Sequence, residues 1–146
     1  MDYPFISCIC PTYKRPLLLQ NAIACFEAQN YPKDRCELII FDDAGQFDSQ
    51  CESNWRLIPI AERFATLPAK FNAMVKEARG EIIAIWEDDD IFLPWNLSDV
   101  AACHAAGGNE FYISQNVWST HAQDFGEVEL VDAAGVYHSS WRFTKQ

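Results

Sequence analysis

Four consecutive acidic residues, Glu87 to Asp90, are the part of the sequence best suited to chemistry. They directly follow residues 82–86, an apolar run typical of a buried strand, and Pro94 closes the segment. Adjacent carboxylates repel one another, and no basic residue lies close to them in the sequence. Because Mg²⁺ and Mn²⁺ prefer hard oxygen ligands, a divalent cation would relieve that repulsion. The alternative is a solvated acidic turn, which is the commoner role of an acidic run.

A βαβ unit is predicted at the start of the chain. Residues 5–10 and 36–41 are short apolar runs typical of buried strands, and we expect Pro11 to end the first of them. Residues 17–26 have helical spacing, with Pro16 at a position that prolines favour in the first helical turn. Two strands joined by a crossover helix are parallel, so their carboxyl ends lie at the same edge of the sheet.

Both of these strands end in side chains that can contact a nucleotide. Thr12 and Tyr13 follow the first strand, and Asp42 and Asp43 follow the second. Ligands of open α/β sheets bind outside the carboxyl ends of the strands, so these loops and the acidic run are predicted to face one crevice. There an aromatic ring would stack on a base, a carboxylate would accept a base N–H, and the acidic run would hold ribose and a metal.

Structural roles compete with these functional ones. Aspartates often begin turns and cap helices, which offers Asp42 and Asp43 a purely local role. The ring of Tyr13 has an equal alternative in packing beside the neighbouring prolines.

The remaining patterns complete an α/β fold. Strands are indicated at residues 56–60, 110–114, 125–131 and 135–143, and helices at residues 68–79 and 94–106. Pro59 limits its strand to an edge or an end, and Gly80 stops the helix before it. The sequence therefore predicts one domain over residues 1–146, built as a three-layer α/β/α sandwich around a mostly parallel, twisted sheet.

Composition narrows the classes of partner. The chain has 146 residues, 49% of them hydrophobic, and a formal net charge of −10. This acidity argues against nucleic-acid binding, which needs clustered basic residues. There is no signal-peptide pattern and no apolar stretch long enough for a transmembrane segment, so a cytoplasmic protein is expected. Six cysteines without a CxxC pair are expected to be reduced thiols.

Several short motifs resemble those of the inverting glycosyltransferase family 2. The motifs lie at residues 7–15, 39–44, 69–73, 78–84 and 87–94. The last of them stands at the position of that family's DxD motif, and the resemblance covers residues 5–97. It implies the GT-A fold, a nucleotide-sugar donor of the UDP type, and Mn²⁺ or Mg²⁺ as cofactor.

The resemblance also implies roles for individual residues. Thr12 and Tyr13 would contact base and ribose, and Asp42 or Asp43 the uracil-type edge. Lys70 and Asn72 would lie near the nucleotide, Lys70 offsetting phosphate charge, and Asp88 would face the ribose. Asp89 would ligate the metal, with Asp88 and Asp90 beside it, because residues 87–89 and 88–90 both fit the DxD pattern. His138 would be a further metal ligand, with a structural role as its alternative.

The catalytic base is the least defined part of this interpretation. Family members usually extend further and carry a catalytic acid on a later loop, whereas this sequence ends at Gln146, soon after residues 137–143. We therefore expect either a truncated or minimal form that lacks the usual base, or a form in which another carboxylate replaces that base. The candidates are Asp124, Glu127, Glu129 and Asp132.

The sequence thus predicts a metal-dependent glycosyltransferase that transfers a sugar with inversion to an unidentified acceptor. The alternative is a non-catalytic nucleotide-sugar-binding module. A receiver-type domain is disfavoured because its acid pair would follow the first strand, where Pro11, Thr12 and Tyr13 stand. A nucleotidyltransferase would need a glycine-rich, basic loop at the same place.

Overall fold

The computed structural model describes residues 3–107, 110–120, 128–133 and 137–145. The strands in these ranges are β1 (Ile6–Thr12), β2 (Cys36–Asp42), β3 (Gln50–Cys51), β4 (Trp55–Pro59), β5 (Ile82–Ile85), β6 (Phe111–Ile113), β7 (Asn116–Thr120), β8 (Val128–Asp132) and β9 (Trp141–Thr144). The α-helices are α1 (Pro16–Glu27), α2 (Leu67–Glu77) and α3 (Asn96–Gly107).

Seven of these strands form one sheet in the order β3-β4-β2-β1-β5-β9-β6. Its central strands β4, β2, β1 and β5 are parallel, while β3 and β9 run antiparallel to their neighbours. Strands β7 and β8 pair with each other in a separate two-stranded sheet. The first strand, the second strand and the strand before the acidic run are therefore parallel neighbours, as predicted.

Helices cover both faces of the large sheet. On one face, Phe26 of α1 and Leu97 of α3 belong to a buried cluster with Leu38 of β2. On the other face, Met74 of α2 packs with Ile39, the next residue of the same strand. Successive side chains of a strand point to opposite faces, so both faces of β2 are buried. The predicted three-layer α/β/α arrangement is confirmed.

The first strand is longer than predicted, because Pro11 does not end it. The carbonyl of Ile9 accepts a hydrogen bond from the Trp86 N–H at 2.9 Å, just where β5 has ended. A backbone N–H at residue 11 would point to the same side as the Ile9 carbonyl, that is, towards β5. Because β5 has ended there, the missing N–H of proline leaves no hydrogen bond of the sheet unformed. Pairing continues with β2 alone, through the Thr12–Asp42 pair.

Two aromatic rings hold the ends of the acidic loop together. Trp86 and Phe92 are both buried, and their rings stack with centroids 3.7 Å apart. The indole N–H of Trp86 donates to the Ala22 carbonyl of α1 at 3.1 Å. Gln29, beyond the end of α1, donates to the Leu93 carbonyl at 2.8 Å. The four acids are therefore presented by a short loop that is fixed at both ends.

The thiols agree with the prediction. All six cysteines are free, and Cys8, Cys10 and Cys36 are buried in the core. Within the described residues, no helix has the length and apolar character needed to cross a membrane.

Candidate functional site

A cleft of about 440 Å³ lies at the carboxyl ends of β1 and β5. Its lining residues are Pro11, Thr12, Tyr13, Arg15, Arg63, Leu67, Lys70, Glu87, Asp88 and Asp89. The loop after β1 and the acidic loop after β5 thus meet in one cleft, because these two strands are parallel neighbours. Five residues predicted from the sequence lie in this lining: Thr12, Tyr13, Lys70, Asp88 and Asp89.

Asp88 and Asp89 differ in how they are held. Asp88 is only 4% exposed, and its Oδ2 accepts a hydrogen bond from the Thr12 hydroxyl at 2.7 Å. Asp89 is open to solvent, with 48% of its side chain exposed. The buried carboxylate is therefore fixed by β1, whereas the exposed one can reorient towards a ligand.

Arg15 supplies the opposite charge that the acidic run lacks in the sequence. One guanidinium nitrogen, Nη1, lies 3.1 Å from Asp88 Oδ1 and 2.6 Å from Asp89 Oδ2. Partial burial by itself would lower the pKa of Arg15, but the charges of Asp89 and Asp88 raise it. The loop after β1 therefore brings to Asp88 and Asp89 a positive charge that is not close to them in the sequence.

The loop that carries Arg15 has an unusual backbone. Lys14 has a φ of 56°, in the left-handed region that residues other than glycine seldom adopt. Arg15 is also the N-cap residue of α1 and makes no capping hydrogen bond with its side chain. Its guanidinium instead contacts Asp88 and Asp89 across the cleft.

A second arginine of the cleft, Arg63, lies over the ring of Tyr13. The Arg63 guanidinium carbon lies 4.1 Å from the ring centroid, and the Lys14 Nζ lies 5.4 Å from it. These are distances of cation–π contacts. Arg63 was not predicted, because a lone arginine in a polar loop before α2 gives no signal of its own. Its cation stands in the same cleft as the acids.

Lys70 is paired within the protein. It is 4% exposed, and its Nζ donates to Asp43 Oδ1 at 2.6 Å and to the Thr12 carbonyl at 2.7 Å. Burial would raise the pKa of Asp43, but hydrogen bonds from Lys70 and from the Phe64 N–H hold that pKa below its usual value. Lys70 therefore joins α2 to the ends of β1 and β2, and its charge is balanced by Asp43.

Asp42 makes the contacts of a turn residue. It is fully buried, and its carboxylate accepts hydrogen bonds from the N–H groups of Ala44, Gln46 and Phe47 at 2.9, 2.7 and 3.1 Å. Neither Asp42 nor Asp43 is in the cleft lining, and Asn72 is exposed on α2 and outside it as well. Base recognition by Asp42 or Asp43, and a position of Asn72 near the nucleotide, stay predictions.

His138 is brought to the acidic loop by the pairing of β9 with β5. Its Nδ1 lies 3.6 Å from Glu87 Oε1, and its ring stands edge-on to Trp141 at a centroid distance of 4.7 Å. Burial lowers the pKa of the Arg142 guanidinium, and the negative charge of Asp90 is one of several influences that oppose this lowering. Glu87 thus lies beside His138, whereas Asp88 and Asp89 face Arg15.

The residues of this site are compatible with a metal that is held jointly by the protein and a substrate. Across the residues that the structure describes, no three side chains of Asp, Glu, His or Cys form a metal-binding group. Mg²⁺, however, is commonly held by one or two carboxylates together with substrate phosphates. Asp88 and Asp89, with their hard oxygens at the cleft wall, suit a cation that arrives with a diphosphate.

Two of the four carboxylates considered as catalytic base lie among the described residues, and both are outside the cleft. Glu129 and Asp132 are exposed on β8, in the small sheet, and neither lines the cleft. Asp124 and Glu127 lie outside the described residues. Their proposed roles therefore stay predictions.

The structure is that of an α/β protein with a cleft at the carboxyl ends of its parallel strands, which is where proteins with open α/β sheets bind their ligands. The family model described as glycosyl transferase family 2 matches residues 7–130. The chain belongs to this family. No curated protein matches the sequence.

Solved structures show the same fold at low sequence identity. A crystal structure of S. aureus TarS 1-349 has a TM-score of 0.69 and 18% identity, and the match covers 96% of this chain and 47% of that one. The same protein in complex with UDP gives a TM-score of 0.67, with 18% identity over 84% of this chain and 40% of that one.

A third match is the mannosyltransferase PcManGT from Pyrobaculum calidifontis, in complex with GDP-Man and Mn²⁺. It has a TM-score of 0.60 and 21% identity, and covers 75% of this chain and 35% of that one. The α/β fold is thus the GT-A fold of glycosyltransferases. The chain spans less than half the length of these structures.

Proposed function

We propose that this chain is a single nucleotide-sugar-binding domain that transfers a sugar from a UDP-type donor to an acceptor, with inversion and with Mn²⁺ or Mg²⁺. The observation that carries the proposal is the cleft in which the loop after β1 meets Asp88 and Asp89. Family membership supports transferase chemistry. Neighbouring structures with UDP or with GDP-Man and Mn²⁺ support a nucleotide-sugar donor.

The donor would lie along the cleft with its base near Tyr13 and its ribose near Asp88. The hydrogen bond from Thr12 fixes Asp88, so that one carboxylate oxygen keeps a constant direction towards a ribose hydroxyl. Stacking of a base on Tyr13 requires Arg63 to leave the ring or to hold the other face. A guanidinium suits the diphosphate that would lie next to the base.

Asp89 and Asp88 would hold the metal, with His138 and Asp90 as further candidate ligands. When bound, the cation stabilises the negative charge that develops on the leaving diphosphate. Arg15 and Arg63 stand at the same cleft and can contribute positive charge to the diphosphate from the protein side.

A nucleotide-sugar-binding module without transfer activity is the second candidate. The observation that favours it is the position of Glu129 and Asp132, because neither carboxylate lines the cleft where an acceptor hydroxyl would be deprotonated. The candidate bases for a catalytic chain are these two residues together with Asp124 and Glu127.

Calorimetric titration with UDP and with GDP, each with and without Mn²⁺, tests the proposal. Binding of UDP that is strengthened by Mn²⁺ and preferred over GDP is expected. A parallel assay of UDP-sugar hydrolysis separates the two candidates, because a module would bind the donor without consuming it. If neither UDP nor GDP bound in any of these conditions, both candidates would be contradicted.

A further inference from the structure

Arg15 occupies the two carboxylates that the proposed function gives to the metal. Its Nη1 makes contact with Asp88 Oδ1 at 3.1 Å and with Asp89 Oδ2 at 2.6 Å. A single nitrogen thus bridges both acids. This contact joins the loop after β1 to the loop after β5, and it lies within the cleft lining.

The guanidinium and a divalent cation exclude each other at this place. A bound Mg²⁺ lies about 2.1 Å from its ligand oxygens. A guanidinium nitrogen 2.6 Å from Asp89 Oδ2 would then lie next to the metal. Two cations at such a separation repel strongly wherever solvent screening is incomplete, so Arg15 has to move before the metal can bind.

We propose that Arg15 is a competitor of the divalent cation, built into the protein, that keeps the metal affinity of the nucleotide-free site low. The proposal rests on the metal site of the proposed function. A diphosphate weakens the competition, because guanidinium groups bind phosphate oxygens well and the anion offers Arg15 a new partner. Metal and nucleotide therefore bind cooperatively, each favouring the state in which Arg15 has left the acids.

The environment of Arg15 allows this movement. Its side chain is 49% exposed, and in the structure its hydrogen bonds go to Asp88 and Asp89. The hydroxyl of Thr12 still fixes Asp88 when the guanidinium leaves. Loss of the arginine therefore frees the carboxylates without releasing the loop that carries them.

Arg63 provides a matched control. It is an arginine in the same cleft, but its guanidinium lies on the Tyr13 ring at 4.1 Å from the centroid. Arg15→Gln and Arg63→Gln change the net charge of the cleft equally. Only the first removes a direct contact with the acids.

The test is a titration of each variant with Mn²⁺ alone, in which free Mn²⁺ is measured by electron paramagnetic resonance. Removal of a half-exposed ion pair to two carboxylates should raise Mn²⁺ affinity by about five- to tenfold in Arg15→Gln. Arg63→Gln should change it by less than about twofold, in line with a screened charge at longer range. Saturating UDP should raise Mn²⁺ affinity more in the wild type than in Arg15→Gln. Circular dichroism checks that both variants are folded.

Two results would overturn the inference. Equal increases in Mn²⁺ affinity in the two variants would show that Arg15 acts only through the overall charge of the cleft. An unchanged Mn²⁺ affinity in Arg15→Gln would show that Arg15 does not compete with the metal. If UDP still needed Mn²⁺ in these cases, the proposed function would stand without the inference. Absence of Mn²⁺ binding in every variant, with and without UDP, would contradict the metal site and the inference together.

Discussion

At the scale of single residues, the acids of this chain divide by what already binds them. Asp42 accepts three backbone N–H groups and Asp43 is paired with Lys70, so their carboxylates hold loops together. Asp89 is half-exposed, and it is paired with Arg15, which is itself half-exposed at the cleft surface. The sequence places all of these acids at strand ends but does not distinguish the two kinds.

The buried pair of Lys70 and Asp43 is expected to be a large contributor to stability. Lys70→Met leaves the Asp43 carboxylate buried without its cation, which should lower the free energy of unfolding by about 3–5 kcal/mol. Urea denaturation measures this change. Lys76→Met, at an exposed position of the same helix, should have an effect within about 0.5 kcal/mol. Similar losses in the two variants would contradict the structural role of Lys70.

Glu37 provides a prediction of pH dependence away from the cleft. Its buried carboxylate accepts hydrogen bonds from the Ser7 hydroxyl at 2.7 Å and the Arg79 N–H at 2.8 Å. Burial would raise the pKa of Glu37, but these bonds and those from the Arg79 and Arg56 side chains lower it below the usual value. A lowered pKa in the folded state means that the stabilisation is complete above the carboxyl pKa of the unfolded chain. It is lost as the pH falls through the lower folded value.

Glu37→Gln should therefore be less stable than the wild type at neutral pH, by about 1–3 kcal/mol for the lost charged hydrogen bonds. The difference should shrink as the pH falls below about 4, where the wild-type carboxylate becomes protonated. Thermal unfolding from pH 7 to pH 3 measures it. A difference that stays constant over this range would show that ionisation of Glu37 does not stabilise the fold.

At the scale of elements, the strands and helices that were predicted are those with a clear pattern of apolar residues in the sequence. Strands β1, β2 and β5 and helices α1 and α2 were predicted close to their observed bounds, because buried parallel strands are apolar on both faces. Strands β3 and β7 were not predicted. β3 consists of only two residues, both of them exposed. Its pairing with β4 depends on the tertiary structure, and no pattern in the local sequence indicates it.

Gly80 shows how tightly the segment that follows α2 packs against the start of β1. A Cβ at this position would lie 2.6 Å from the Ser7 nitrogen and 2.8 Å from the Phe5 carbonyl oxygen. Both are backbone atoms, so they cannot move aside as a flexible side chain would. Gly80→Ala should lower the free energy of unfolding by about 1–3 kcal/mol through this overpacking. Unchanged stability of the variant in urea denaturation would contradict the close approach of the two segments.

The contact between Arg15 and the acidic loop could not be predicted from the sequence. The positions of Thr12, Tyr13 and the acids at one edge followed from the parallel order of the strands. The direction of the Arg15 side chain depends on the left-handed backbone of Lys14, which no local pattern indicates. Local patterns therefore predict which loops meet, whereas the pairing of charges between them depends on the tertiary structure.

At the scale of the whole molecule, the proposed donor is an anion, although the chain itself has a net charge of −10. Binding of this donor therefore needs local positive charge. The cations that favour this binding are concentrated at the cleft, where Arg15 and Arg63 lie in the lining and Lys70 is neutralised by Asp43. A divalent cation would add to them at the acids. Nucleotide binding is therefore expected to depend on a metal held by Asp89.

Calorimetric titration of Asp89→Ala with UDP, in the presence and absence of Mn²⁺, tests this claim most directly. The wild type should bind UDP at least about tenfold more tightly with Mn²⁺, which corresponds to roughly 1.4 kcal/mol. Asp89→Ala should lose this gain and remain folded, while Asp99→Ala, at an exposed position on α3, should keep it. A Mn²⁺-dependent gain in UDP affinity that is the same in Asp89→Ala and in the wild type would contradict the metal site.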